Sequence, residues 1–499
     1  TGCGEEFLEE APSDQITDAN FYRTQADAIQ AVTAIYSELN REGQYNQSLW
    51  AMDIMADVST TGGGGGGDGI EYQQLENFNI PSTNQVATRL WGSCFIGIQR
   101  ANIVLQKVPL ITDIDPVIQQ RCLGEAQFLR AKYYFDLVRV YGDVPLFTIP
   151  PASVAAVSIP RTPAAEVYAQ IERDLTDAIG NLPPSYSGED LGRATRWAAT
   201  GLLAKVYITE GKRVEAAQRA REVIAGSGKA LWPNYGNNFN VLNENGQESL
   251  FEVQYINGRN QFDRNSVGSA ANQFFAPRGG GLTPQGDGYG FNIPEPDFVN
   301  GYEAGDTRRA VTIFSPGDVW PGGGINPGSL PGSPFGYSSR KWFVGRVNTN
   351  IWDSPLNIPV LRLAEIYLIL AEAVGPTPGP DGGLEAINKV RRRAFGLPID
   401  TPSAARDLTA TTPNFTAAVL RERLYELAFE FDRWFDLKRT SINNPSITEH
   451  SFIPRMTAHA AFLRTVGVQR GVPTATNLVL PIPQTELDAN RALVQNPGY

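Results

Sequence analysis

Apolar positions recur at helical spacing through much of the chain. Between 24 and 39, Ala28, Ile29, Val32, Ile35, Tyr36 and Leu39 share a face, and the spacing predicts a helix. The same period predicts a helix over 84–107, with Trp91, Phe95, Ile98, Ile103 and Leu105 on or near one side. A third helix is expected over 116–141, ended by Gly142 and barred from continuing by Pro145. A fourth should open at Thr162-Pro163, an N-cap followed by proline at the first helical position, and end before Pro183-Pro184. Towards the C-terminus, 359–373 and 421–440 read as amphipathic helices, and 480–499 reads as a capped, proline-bounded end. Between 232 and 352 the helical period is lost. Short strand candidates such as 249–255 stand there among Pro-rich turns and two glycine clusters, 279–281 and 322–324.

One helix pair is more specific. Leu203, Ala204, Tyr207, Gly211, Ala216 and Val223 fall where a tetratricopeptide (TPR) repeat places its leucine, small residue, tyrosine, turn glycine, alanine and second-helix apolar residue. The stretch 361–395 looks like a degenerate second copy, interrupted at its turn by 375–383. A single helical hairpin cannot bury its apolar face, whereas stacked hairpins can. The expected fold is therefore mainly α, a TPR-like helical-hairpin superhelix with a packed, loop-rich irregular lobe. The chain divides into an extended N-terminus (1–20), a helical body (21–230, with a loop insertion at about 40–83), a loop-rich segment (231–355), and last repeats with a C-terminal tail packing on the body (356–499).

Composition narrows the function. Of 499 residues, 42% are hydrophobic and 19% charged, the profile of a folded globule. A net charge of −11 speaks against nucleic acid and against an anionic membrane surface, which need basic footprints. No apolar run is long enough to cross a bilayer as a helix. Cys94 and Cys122 lie in helical patterns and are expected to be buried thiols. The chain has two histidines, His450 and His459, and neither a HExxH nor a CxxC spacing exists. No G-x-S-x-G elbow occurs. The run 62–67 lacks the Lys-Ser/Thr of a phosphate cradle; it reads as a surface loop that shapes the rim of a groove. Carboxylate pairs occur by chance among 53 Asp and Glu, so they do not by themselves indicate a hydrolase. The charged series Arg421, Glu422, Arg423, Glu426, Glu430, Asp432, Arg433, Asp436, Lys438 and Arg439 has the spacing of i,i+3 and i,i+4 pairs along one helix. It is expected to be structural, locking the last helix to the tail.

Several blocks together carry a family resemblance: Phe128-Leu129-Arg130-Ala131 through Tyr141-Gly142-Asp143-Val144-Pro145, Pro294-Glu295-Pro296-Asp297-Phe298, Gly305-Asp306-Thr307-Arg308-Arg309, and the three C-terminal stretches 359–373, 421–440 and 480–499. The chain resembles the SusD/RagB family of nutrient-binding outer-membrane lipoproteins. The resemblance implies a protein without catalysis or cofactor, holding an oligosaccharide over a SusC-like TonB-dependent transporter at the cell surface. It also implies lipid attachment at Cys3, whose Thr-Gly-Cys setting looks like the remnant of a lipobox. Peptide capture, and a TPR-like scaffold without a small ligand, remain open alternatives. Whether loop carboxylates hold a calcium ion is also open. The implied ligand platform draws on the loop after the first helix and on the irregular segment. Aromatic rings there suit the flat faces of sugars, which selects Trp320, Tyr72, Asp68 and Tyr289, followed by Trp342 and Trp50. Trp91, Trp197 and Trp434 lie on predicted helices and are expected in the core.

Overall fold

A computed structural model describes residues 21–258, 267–283, 286–321, 323–346 and 352–499. Cys3 and the extended N-terminus lie outside the described residues. The body opens with α1 (Gln25–Tyr36), α2 (Ala51–Ile54), α3 (Ile70–Glu76), α4 (Gln85–Lys107), α5 (Pro116–Tyr141), α6 (Ala164–Asn181), α7 (Arg196–Glu210) and α8 (Arg213–Gly226). Among its described residues the lobe holds only short α-helices, α9 (Ala271–Phe275), α10 (Pro296–Asn300) and α11 (Arg308–Thr312). The chain returns to the body with α12 (Leu363–Val374), α13 (Gly383–Ala394), α14 (Phe415–Glu426), α15 (Arg433–Asn443), α16 (Phe452–Thr465) and α17 (Gln484–Ala489). Among the described residues, short strands form three antiparallel pairs. These are β1 (Ser59–Gly62) with β3 (Phe291–Pro294), β2 (Ser249–Val253) with β6 (Ile358–Arg362), and β4 (Ile313–Phe314) with β5 (Ser338–Ser339).

Local chemistry explains the helix ends. Thr24 and Asp27 form a capping box on α1, and Asn84 and Asp115 cap α4 and α5. Gly211 takes φ +79° in the α7–α8 turn, where the TPR pattern requires it. At α6 the boundary lies one residue later than expected. Thr162 bridges to Val144 instead, and the Ala164 N–H donates to Asp143 Oδ1 at 2.8 Å, so the cap comes from across the loop.

Two predicted helices are corrected. The stretch 359–373 begins as strand β6, paired with β2, and becomes helical only at Leu363. The stretch 421–440 breaks after Glu426 and resumes at Arg433, because Phe429 and Phe431 take φ of +62° and +70°. The charges of this region are indeed buried, but they pair mainly between elements. Arg308, Arg362 and Arg393 all reach Glu426; Arg423 joins Glu365 to Asp436, and Arg439 reaches Glu372. Three arginines hold the Glu426 carboxyl far below the usual range, against the opposing effect of burial.

The tail is fixed to the end of α5. The final carbonyls of α5 would otherwise be bare. Val138 O accepts from Gly142 N at 3.0 Å, Arg139 O from Lys438 Nζ, Val140 O from Leu480 N at 2.8 Å, and Tyr141 O from Asn496 Nδ2 at 3.0 Å. One apolar core runs from α1 to the tail, and a small satellite of Leu282, Phe314, Trp320 and Leu330 lies in the lobe. Cys94 and Cys122 are buried free thiols, and burial pushes Cys122 up to about 11. Trp91 and Trp434 are buried, and Trp197 is half-buried against the core.

Candidate functional site

Three segments distant in sequence meet at one rim of the lobe. The pairing of β1 with β3 joins the first two, with Gly62 opposite Phe291 and Gly63 N donating to Gly290 O at 2.7 Å. The glycine loop after β1 is closed by Asp68, whose Oδ2 accepts from Gly64 N at 2.6 Å and from Arg278 Nη2 at 2.9 Å. Arg278 Nε then donates to Tyr289 O at 3.0 Å. Beneath these groups runs an aromatic ladder: Tyr72 to Phe291 at 5.8 Å, Phe291 to Phe274 at 5.6 Å, and Phe274 to Tyr289 at 5.1 Å between ring centroids.

The third segment, around β4 and β5, closes against the other two through glycine. A Cβ on Gly332 would lie 2.3 Å from the Gly63 carbonyl, and one on Gly280 would lie 3.2 Å from the Trp320 ring. The loop 279–281 is clamped where Gly281 N donates to Asp287 Oδ1 at 2.7 Å and Arg346 donates to Gly281 O.

Asp68 and Tyr289 thus meet at Arg278, with Tyr72 against Phe291 and Trp320 against Gly280, and the four are unequally exposed. Asp68, Tyr289 and Arg278 are half-exposed, whereas Tyr72 and Trp320 are 5% and 7% exposed. The expectation of an open Trp320 platform is corrected here. The loop that carries it folds back through the Val319–Ile325 bridge and builds the satellite core around the indole. Trp50 and Trp342 do not join the rim at all. Trp50 packs edge-on against Phe274 and Phe275, and Trp342 Nε1 donates to Phe429 O at 3.0 Å; both are at most 2% exposed. Arg278 escaped notice because its partner lies 210 residues away, and no local spacing announces the pair.

The rim presents a carboxylate, a guanidinium and a phenol to solvent. The Asp68–Arg278 pair is open to water and contributes at most about 1 kcal/mol to stability, so its charges remain usable by a ligand. Among the described residues no cluster of three or more His, Cys, Asp or Glu could hold a metal ion. His459 is fully buried between Glu295 and Asp297, at 2.6 and 2.7 Å, and His450 is buried beside Arg433.

Known proteins resemble this chain over most of its length. Residues 247–499 match the profile described as the SusD family, and residues 6–208 match one described as starch-binding, associating with outer membrane. A SusD-like protein of Formosa agariphila is 28% identical, covering 99% of this chain and 96% of its own length. One from Bacteroides ovatus is 29% identical over 87% of this chain and 79% of its own. Among solved structures, a laminarin-binding SusD-like protein superposes with a TM-score of 0.78 at 29% identity, covering 96% of this chain and all of the other. A surface glycan-binding protein A from Bacteroides uniformis gives 0.79 at 25% identity, covering 95% of this chain and 99% of the other.

Proposed function

The chain belongs to the SusD family, and from that premise we propose that it is a non-catalytic glycan-binding protein of the outer membrane whose ligand lies on the rim around Arg278. The observation that carries this reading is the convergence of Asp68, Arg278 and Tyr289 over a fixed aromatic ladder. A sugar ring offers a flat C–H face and hydroxyls. A half-exposed phenol suits the face, and a water-accessible ion pair suits the hydroxyls. Laminarin heads the ligands to try, because a relative of 29% identity is named for it, and starch follows from the profile that matches residues 6–208.

Delivery to a SusC-like TonB-dependent transporter and anchoring through Cys3 belong to the same proposal. The N-terminal half of the body leaves Leu110, Val117 and Ile149 between 68% and 72% exposed, apolar surface that the wall of a barrel could cover.

Calorimetry against laminarin and starch oligosaccharides, and against oligopeptides of similar length, tests the reading. Heat is expected with glycan. Heat with peptide alone would replace the glycan by a peptide, and no heat at all would favour a scaffold. Asp68→Ala and Tyr289→Ala should each weaken binding about ten-fold, the equivalent of about 1.4 kcal/mol. No new reducing ends should appear on incubation with glycan.

A further inference from the structure

The connection between α6 and α7 crosses the surface as a ridge at Leu191, Gly192 and Arg193, and a cleft opens on each side. The larger, about 290 Å³, is faced by Tyr36 and Asn40 from the end of α1 and the turn after it, and by Gln254 after β2. The smaller, about 120 Å³, is faced by Trp197 with Lys229 and Asn245. The three ridge residues line both clefts, and neither cleft shares a residue with the rim around Arg278.

The walls are already ordered. Gly192 takes φ +96°, and a Cβ there would fall 2.5 Å from Gln254 Cδ, so the ridge lies directly on that amide. Gln254 and Asn245 exchange two side-chain hydrogen bonds of 2.8 and 2.9 Å, and Gln254 Oε1 also accepts from Asn357 Nδ2 at 3.0 Å. Arg193 is held by Glu125 at 3.0 Å, Asp190 at 2.7 Å and Thr33 at 3.1 Å. Groups fixed before binding lose little freedom when a ligand arrives.

Hydrogen-bonding capacity is left over. Asn245 uses one side-chain N–H on Gln254 and keeps the other. Lys229 donates to Gly246 O at 2.8 Å, and burial lowers its pKa. Trp197 is half-buried, backed closely by Gly226, and Leu191 is 52% exposed on the crest. An indole, an apolar crest and spare polar groups in two small clefts fit hydroxyl-rich rings better than an extended apolar ligand.

We propose that the clefts flanking Leu191–Arg193 form a second saccharide-binding site, so that one molecule grips a glycan chain at two separate places. The inference rests on the glycan reading of the rim and adds valency to it. Two linked sites on one polymer raise avidity beyond either affinity alone.

Calorimetry with trisaccharides of laminarin or starch counts the sites, and retardation in gels containing laminarin or soluble starch reads avidity. Wild type is expected to bind two trisaccharides. Asn245→Ala, Lys229→Met and Trp197→Ala should each bind one and lose at least ten-fold in polymer affinity. Trp197→Ala removes packing against Gly226, so the two surface variants decide the matter if it fails to fold. One trisaccharide per wild-type molecule, with Asn245→Ala and Lys229→Met retarded like wild type, overturns the second site and leaves the rim reading intact. Full binding by Asp68→Ala and Tyr289→Ala, with loss in the ridge variants, supports the second site and overturns the rim. No retention of wild type in either gel overturns both.

Discussion

His459 donates from both ring nitrogens, Nδ1 to Asp297 and Nε2 to Glu295, within a closed set of charges. Burial alone would lower its pKa, but Glu295 and Asp297 override burial and lift it to about 9, above the ordinary 6.5. Because the folded value is the higher one, the stabilisation is fully present below about 6.5 and drains away as pH rises through 9. At about 1.4 kcal/mol per pH unit the ceiling is about 3 kcal/mol. Denaturant unfolding of wild type and His459→Gln should therefore differ most near pH 6 and converge above pH 9; a constant difference would contradict the ion-pair account. His450 runs the other way. Burial and Arg433 push it down to about 3, so its share of stability is present above 6.5 and is lost as pH falls towards 3. None of this was legible in the sequence, where the two histidines register only as isolated residues without a metal spacing or a nucleophile elbow. Exposure was equally hidden at Trp320 and Trp50. A residue type and a loop position suggest a platform, but whether a loop builds its own small core depends on contacts such as Gly280 on the Trp320 ring.

At the scale of elements, periodicity located the long helices well, since a buried face repeated over many turns leaves an unmistakable spacing. It failed where two elements share one apolar run. Strand β6 passes straight into α12, and its partner β2 lies more than a hundred residues earlier, so the pairing is invisible locally. The break between α14 and α15 is hidden for the opposite reason: Phe429 and Phe431 keep an apolar pattern while their backbones leave the helix. The proline-bounded tail was recognised as an end, but its task at the terminus of α5 emerges only in three dimensions. Asn496 donates to Tyr141 O at 3.0 Å and Leu480 O at 2.8 Å and accepts from Arg161 at 2.8 Å. Asn496→Leu strands two buried carbonyls, at about 1–3 kcal/mol each. Hydrogen exchange should quicken at the end of α5 and around Leu480 first, together with a lower Tm. Unchanged protection there would mean that the tail is held by its apolar contacts alone.

For the whole molecule, a helical body supplies rigidity and the irregular lobe supplies a surface whose shape can change without endangering the core. Loops vary in shape at little cost to a packed core, which is why the family could be read from landmark blocks while the exposure of single loop residues could not. The glycine loop tests it most directly. A Cβ on Gly65, Gly66 or Gly67 would meet nothing within 4 Å, although Gly65 O accepts from Gln73 Nε2 at 3.0 Å and from Asp68 N at 3.1 Å, whereas Gly63 is pressed against the turn at Gly332 and Gly64 is tied to Asp68. Deleting Gly65 and Gly66 removes no side-chain packing and exchanges the exposed hydrogen bonds at Gly65 O for water, while shorter loops lose less entropy on closure, so Tm should stay within a few degrees of wild type. The deletion would still shift the segment that presents Asp68 to Arg278. Calorimetry should then show glycan affinity altered several-fold with thermal stability preserved. A fall in Tm would mean that the loop is part of the scaffold, and unchanged affinity would mean that the ligand lies elsewhere than on this rim.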